Sequence, residues 1–150
     1  MSDPLDFGLD LDDVADRLTG MSYFASVQGI MDASEALDET MPAVPPAAFL
    51  GIASETAAPN KFLGGAGGHR QRVAVRLAVL FVEATSRFDR KGDKAIDRTR
   101  KGITRMLIGW RPKGCEIALD YAGYRVVRIG DGLVWGEVSF DTAYHIDTAA

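Results

Sequence analysis

The run Arg72-Val73-Ala74-Val75-Arg76-Leu77-Ala78-Val79-Leu80-Phe81-Val82 constrains the fold of this chain more than any other stretch. Val73, Val75, Leu77, Val79 and Phe81 share one parity; Arg72, Ala74, Arg76, Ala78, Leu80 and Val82 share the other. Alternation with period two over β-branched residues predicts a long strand with one wholly apolar face. The second face begins polar and ends apolar, which predicts cover on both sides for its second half alone. A helix would place Arg76 one turn from Val73 and Leu80, inside the apolar stripe. A central strand is therefore expected, and it brings no catalytic constellation with it.

The remaining elements can be set around that strand. With 150 residues, 47% of them apolar and 25% charged, the chain fits one domain over residues 1–150 that can bury a core without staples. Asp10 is placed to cap a helix with Leu11, Val14, Ala15, Leu18 and Met21 on one face. Tyr23 to Ile30 alternates weakly and predicts a short strand. Asp32 with Glu35 marks a short helix through Leu37. Met41 to Pro46 is forced extended by its prolines, and Ala47 to Ala53 resumes as a strand with Phe49, Leu50 and Ile52.

A second helix is expected beyond the central strand, broken from it at Gly92 and capped by Asp93. Ala95, Ile96, Thr99, Ile103, Met106, Leu107 and Trp110 form its apolar stripe, and Gly109 and Pro112 stop it. Glu116 to Tyr121 then reads as a strand with Ile117, Leu119 and Tyr121 inward. Ala122-Gly123 reads as a turn and Tyr124 to Ile129 as the return. Gly130-Asp131-Gly132 is a hairpin signal. Leu133 to Ile146 is the last strand, with Val134, Val138, Phe140, Tyr144 and Ile146 on one face, and a loose tail is expected from Asp147.

Net charge is -4, but the charges are not mixed. Between Met1 and Thr40 stand Asp3, Asp6, Asp10, Asp12, Asp13, Asp16, Asp32, Glu35, Asp38 and Glu39 against Arg17 alone. Between Arg87 and Lys113 stand Arg87, Arg90, Lys91, Lys94, Arg98, Arg100, Lys101, Arg105, Arg111 and Lys113 against Asp89, Asp93 and Asp97. Such blocks can satisfy each other within one molecule, between identical neighbours in a head-to-tail ring, or on a nucleic acid. Asp12, Asp13 and Asp16 facing Arg98, Lys101 and Arg105 are the candidate contact between subunits.

Signals for chemistry are absent by spacing. His69 and His145 have no metal-ligand partner at an i+2 or i+4 spacing. The acids of the first helix lack the glycine and distal glutamate of an EF-hand. Cys115 is the single cysteine, with no histidine near it in sequence, and suits a buried thiol better than a nucleophile. Neither Ser54-Glu55-Thr56 nor Ser139-Phe140-Asp141 gives a nucleophile elbow. No catalytic residue, cofactor or metal is expected. The N-terminus has no basic start or apolar run, and no run approaches the ~20 residues of a membrane span. A soluble protein made in the cytosol is expected.

Residues 57–69 form the one long irregular segment. Gly64, Gly65, Gly67 and Gly68 suggest a phosphate loop, but the terminal Lys-Ser/Thr is missing and a strand follows where a helix N-terminus is needed. A loop of this length and glycine content is expected to be mobile, with the apolar pair Phe62-Leu63 beside Lys61 ordering on a partner.

The order of elements carries a resemblance. It runs through Val27-Gln28-Gly29-Ile30-Met31-Asp32 and Pro46-Ala47-Ala48-Phe49-Leu50, then the glycine loop and the long Val-Ala-Val strand. It continues with Ile108-Gly109-Trp110-Arg111-Pro112 and closes on Tyr124-Arg125-Val126, Asp131-Gly132-Leu133-Val134-Trp135 and Phe140-Asp141-Thr142-Ala143-Tyr144. Over nearly the whole chain this pattern resembles the tail terminator, or tail-completion, proteins of long-tailed bacteriophages, prophages and phage-like particles, including gene-transfer particles.

The resemblance implies an α+β subunit: a mixed, largely antiparallel sheet of about five strands with two main helices packed on one face. It also implies a hexameric ring that caps the tail tube, stops its polymerisation and joins it to the head-side connector. The implied partners are copies of itself, the tail tube protein and the connector or neck protein. DNA would pass through the lumen without sequence-specific binding, and no membrane is involved. Assembly would take place in the host cytoplasm, before incorporation into the particle tail. Lys61, Phe62 and Leu63 are then the candidate contact with the tube. Another neck component of the same particle, or a small enzyme of unknown chemistry, are the competing expectations.

Overall fold

A strand that is apolar on one side along its whole length and on both sides for half of it needs neighbours arranged to match, and the fold supplies them. The computed structural model describes residues 7–30, 44–61, 68–84, 91–130 and 132–149. Its elements are α1 (Leu11–Thr19), β1 (Ser26–Gly29), β2 (Ala47–Ala57), β3 (Gly68–Ala84), α2 (Lys91–Leu107), β4 (Asp120–Gly130) and β5 (Leu133–Ala149). The five strands form one sheet in the order β1-β2-β3-β5-β4. β1 runs parallel to β2, and the other neighbours are antiparallel. The α+β class and the mixed sheet expected from the sequence are both present.

β3 behaves as its alternation demands. Val73, Val75, Leu77, Val79 and Phe81 are all buried, and they face Val14 and Leu18 of α1 and Ile103 and Leu107 of α2 in one core. Each such side chain removed from water is worth roughly 1.5–3 kcal/mol, so this face holds the helices to the sheet. On the reverse face Arg72, Ala74 and Arg76 are exposed, whereas Ala78, Leu80 and Val82 are buried. The buried half joins Ala47, Phe49 and Trp135 in a second core, where the Phe49 and Trp135 rings stack at 5.5 Å. The sheet therefore has a two-sided end and a one-sided end. Gly136 makes the packing of the two-sided end possible. A Cβ there would stand 2.7 Å from the Phe81 ring and 3.0 Å from that of Tyr124.

Local signals explain the helices. The Asp10 carboxylate caps α1 by accepting from the backbone N–H groups of Asp12 (3.0 Å) and Asp13 (3.3 Å), an arrangement worth about 1 kcal/mol. α2 begins at Lys91, so the expected break at Gly92 and cap at Asp93 are corrected: Gly92 lies inside the helix, and Asp93 sits in its first turn. A glycine in a helix costs only about 1 kcal/mol, and an acid in the first turn is favoured by the helix dipole. Gly109, at φ +77°, ends the helical path as expected.

Other boundaries differ from the sequence expectation. β2 continues to Ala57 past a register shift between Ile52 and Ser54, and β3 starts at Gly68. The expected loop 57–69 thus gives up Ala57, Gly68 and His69 to the sheet. Residues 116–119 form no strand. Their backbone is engaged elsewhere, with the Glu116 N–H on the Ala143 carbonyl (2.9 Å) and the Leu119 N–H on that of Trp110 (2.9 Å). Leu119 points inward as expected, but Ile117 and Tyr121 are 40% and 41% exposed. The expected turn at Ala122-Gly123 is a bulge within β4, with Gly123 at φ +153°. The same freedom that suits glycine to a turn suits it to a bulge. The hairpin at 130–132 forms with Gly130 opposite Leu133. β5 runs on to Ala149, so no loose tail begins at Asp147. The short helix expected over Asp32–Leu37 lies outside the described residues.

Candidate functional site

The expected contact residues occupy the two helices. On α1, Asp12 and Asp16 are exposed, while Asp13 turns a carboxylate oxygen to the Lys113 N–H at 2.8 Å. Arg17, the base of this helix, folds onto the end of α2. Its Nε donates to the Met106 carbonyl at 2.6 Å, and its guanidinium lies 4.8 Å from the centre of the Trp110 ring. Arg17 thereby satisfies a carbonyl in the last turn of α2, where unpaired acceptors and the helix dipole both favour a cation.

On α2 the stripe selected by the apolar residues turns the cations outward. Lys94, Arg98, Lys101 and Arg105 are exposed along an open hollow that Ile108 and Tyr121 help to line. Asp97 meets Lys101 at 2.7 Å and Arg100 at 2.6 Å, and hydrogen bonds from these two cations hold its carboxyl below the usual range. Lys101 is thus locally paired, whereas Arg98 and Arg105 form no ion pair with a described residue. Among the described residues, no ion pair joins the α1 acids to the α2 bases.

The placement of the helices gives these charges a direction. α1 packs on β1 and β2, and α2 packs across β3 and β5. Exposed Asp12 and Asp16 thus belong to the helix over β1 and β2, and exposed Arg98 and Arg105 to the helix over β3 and β5. β4 adds exposed apolar side chains, with Val126 at 49%, Val127 at 37% and Ile129 at 73% exposure. Between α2 and this strand lies a second hollow, where Asp93, Asp97 and Arg100 of α2 stand beside Tyr124, Val126 and Ile129 of β4.

The reverse face of β3 and β5 is electrostatically closed by comparison. Arg70 meets Asp147, its register partner, at 3.7 Å, and Arg76 meets Asp141, likewise its register partner, at 2.9 Å. Arg72 reaches Glu116 at 3.2 Å, and Glu116 also meets His145 Nδ1 at 2.5 Å. This places His145 beside a carboxylate, while burial pushes up the thiol of Cys115, the neighbour of Glu116 in sequence. Among the described residues no group of three histidine, cysteine, aspartate or glutamate side chains could hold a metal ion. Nor is any described helix long and apolar enough to cross a membrane.

Lys61, the first of the three expected tube-contact residues, is exposed. Its N–H donates to the Arg70 carbonyl at 2.9 Å, so the hairpin stem of β2 and β3 reaches at least that far. Phe62 and Leu63 lie outside the described residues.

Sequence reasoning missed one buried polar cluster. Glu83 is 5% exposed and accepts from the Tyr23 hydroxyl at 2.6 Å and from the Thr99 hydroxyl. The Tyr23 phenol is pushed up, by burial first and then by Glu83. Two signals were available. Glu83 continues the parity of Val79 and Phe81 into the core, and Thr99 interrupts an apolar stripe. The cluster ties the approach to β1, the end of β3 and α2 together, with the Thr99 hydroxyl also 3.3 Å from that of Tyr23.

A family model described as phage tail terminator protein matches residues 2–150 of the chain. No curated protein matches it.

Proposed function

The chain belongs to the phage tail terminator protein family, and on that premise we propose that it is a structural subunit that assembles into a ring, caps the tail tube and joins it to the head-side connector. The observation that carries this reading is the match across residues 2–150, essentially the whole chain. The ring is hexameric in this proposal, as the family resemblance implies, and DNA crosses its lumen without base-specific contacts. Assembly occurs in the host cytoplasm, and the finished ring stays in the particle tail.

The charge separation supports subunit contacts in which Asp12, Asp13 and Asp16 face Arg98, Lys101 and Arg105 of a neighbour. Asp13, already engaged by the Lys113 backbone, contributes less than Asp12 and Asp16. Lys61, Phe62 and Leu63 form the contact with the tube, since a basic residue followed by an apolar pair suits steering and then burial. Deleting the gene in a strain that produces particles tests the function directly. Electron microscopy should show overlong tails without heads; normal tails joined to heads would overturn the reading.

A further inference from the structure

We infer that the hollow between α2 and β4 receives the head-side partner, a connector segment that brings an apolar side chain for its floor and a lysine or arginine for Asp93. The inference rests on the capping-and-joining reading and adds to it the surface used and the chemistry of the segment that fits it.

Place, exposure and charge carry it. Ile129 and Val134 both line the hollow, and they are register partners one step from the 130–132 hairpin. The hollow therefore opens beside that end of the sheet. Lys61, given to the tube, stands at the other end: its N–H is bonded to Arg70, whose register partner is Asp147 near the close of β5. A subunit that caps a tube and also meets a connector needs unlike surfaces at its two ends. One end here offers a cation, and the other offers acid beside apolar surface.

That apolar surface is open. Ile129 is 73% exposed and Val126 49%, on a strand with a sheet neighbour on one side only. Apolar side chains left together in water beside charged ones mark a contact surface. Charge then selects the occupant. Asp97 is already shared by Arg100 and Lys101, whereas Asp93 is exposed and forms no ion pair with a described residue. A second copy docked here about a two-fold axis would set Asp93 against Asp93, but a segment that carries a cation is attracted.

The form of the contact follows from the strand itself. The register of β4 shifts twice, between Tyr121 and Gly123 and between Val126 and Arg128. Bulges twist an edge away from the flat template that strand addition needs. The connector segment therefore docks through its side chains, with no added strand.

Particles produced with Ile129→Asp or Asp93→Lys in place of the native chain test this. Both positions are exposed, so the purified variants should keep the native melting temperature, and light scattering should give the native mass. Electron microscopy should show tails of normal length. Heads should sit on ~10-fold fewer of them for Ile129→Asp, the effect of losing one buried apolar contact. Asp93→Lys should act in the same direction. When its purified tails are mixed with native heads, the deficit should be widest at low salt and smallest near ~1 M, where charge is screened.

Heads joined at the native frequency by both variants overturn the inference and leave the terminator role intact. Any other occupant overturns it too: overlong tails would give the hollow to the tube, a fallen mass to a second copy, and a fallen melting temperature to the chain's own residues. Normal tails joined to heads after deletion of the gene overturn the terminator reading together with this one.

Discussion

On the outer face of β3, Arg70, Arg72 and Arg76 each stand against an acid of their own chain, at 3.7, 3.2 and 2.9 Å. On the outer face of α2, Arg98 and Arg105 form no ion pair with a described residue, and Asp97 serves both Arg100 and Lys101. The residue types are alike, so the difference lies in the geometry of the elements that carry them. A strand presents every second residue to the same face, and antiparallel register sets Asp147 opposite Arg70 and Asp141 opposite Arg76. A helix surface offers partners only three or four residues away, and the outward face of α2 has too few acids at those positions. Charge on the sheet is thus consumed by folding, while Arg98 and Arg105 on α2 keep no ion partner among the described residues.

The most severe way to break this contrast is to move a charge to the wrong face of β3. Val75 is 2% exposed on the core side, next to an arginine that tolerates water. Val75→Asp would bury an unpaired carboxylate at a cost of the same order as the ~5–15 kcal/mol that hold a domain together. Insoluble protein is expected; a soluble variant with a cooperative melt would show the facing to be misassigned.

Glu83→Ala comes next. Unlike the ladder acids, Glu83 is buried, and its loss leaves the buried Thr99 hydroxyl only the 3.3 Å contact with Tyr23. Weakening the pairing of a buried hydroxyl costs up to about 1–3 kcal/mol, and chemical denaturation should register the loss as a lower midpoint. An unchanged midpoint would mean that the cluster gains nothing from the carboxylate.

Salt separates the two surfaces without mutation. Raising ionic strength from ~0.1 M to ~1 M shortens the screening length from about 10 Å to about 3 Å. Ring mass should fall while the melting temperature barely moves, since exposed pairs such as Arg76–Asp141 contribute little. Asp141→Asn should for the same reason leave assembly untouched and lower the melting temperature only slightly. Mass that holds constant to ~1 M salt would remove electrostatics from the subunit contact.

Much of this fold was legible in the sequence because the signals were local. Alternation in 72–82 told both which face of β3 is buried and where its second face changes character. Asp10, Gly109 and Gly130-Asp131-Gly132 marked their boundaries correctly. Expectations failed where pairing overrode local preference. Ser54 to Ala57 carries no alternation, yet it extends because the first half of β3 offers it a ladder. Ile117 and Tyr121 alternate like a strand, but the backbone at 116–119 finds other partners. The candidate contact surface was half legible. The charge blocks showed in composition, but which helix lies over which strands depends on strand order, and no local pattern encodes that. The ladder was not legible, because Arg76 and Asp141 stand 65 positions apart and meet only through register.

The mildest expected effect on stability concerns the segment after β2. Replacing residues 61–65 with a Gly-Ser linker should leave the melting temperature almost unchanged, because loop composition and length cost little. Tail capping should nevertheless fail, giving overlong tails. Normal tail lengths and infectivity would reduce the segment to a tolerated excursion.

The antiparallel course of β3 and β5 also gives the subunit a front and a back. Gly68 pairs with Ala149 at one end and Ala84 with Leu133 at the other. With 17 residues in β3 and a rise of ~3.3 Å each, the two ends are separated by roughly 55 Å, less whatever the sheet's twist takes up. Lys61 hangs from the first end, and the 130–132 hairpin from the second. Joining copies edge to edge uses the direction across the strands and leaves both ends unobstructed. Every copy in such a ring would then point the same way, so one rim would carry the Lys61 hairpins and the other the 130–132 hairpins. A collar with unlike rims can be threaded onto a tube in one orientation only.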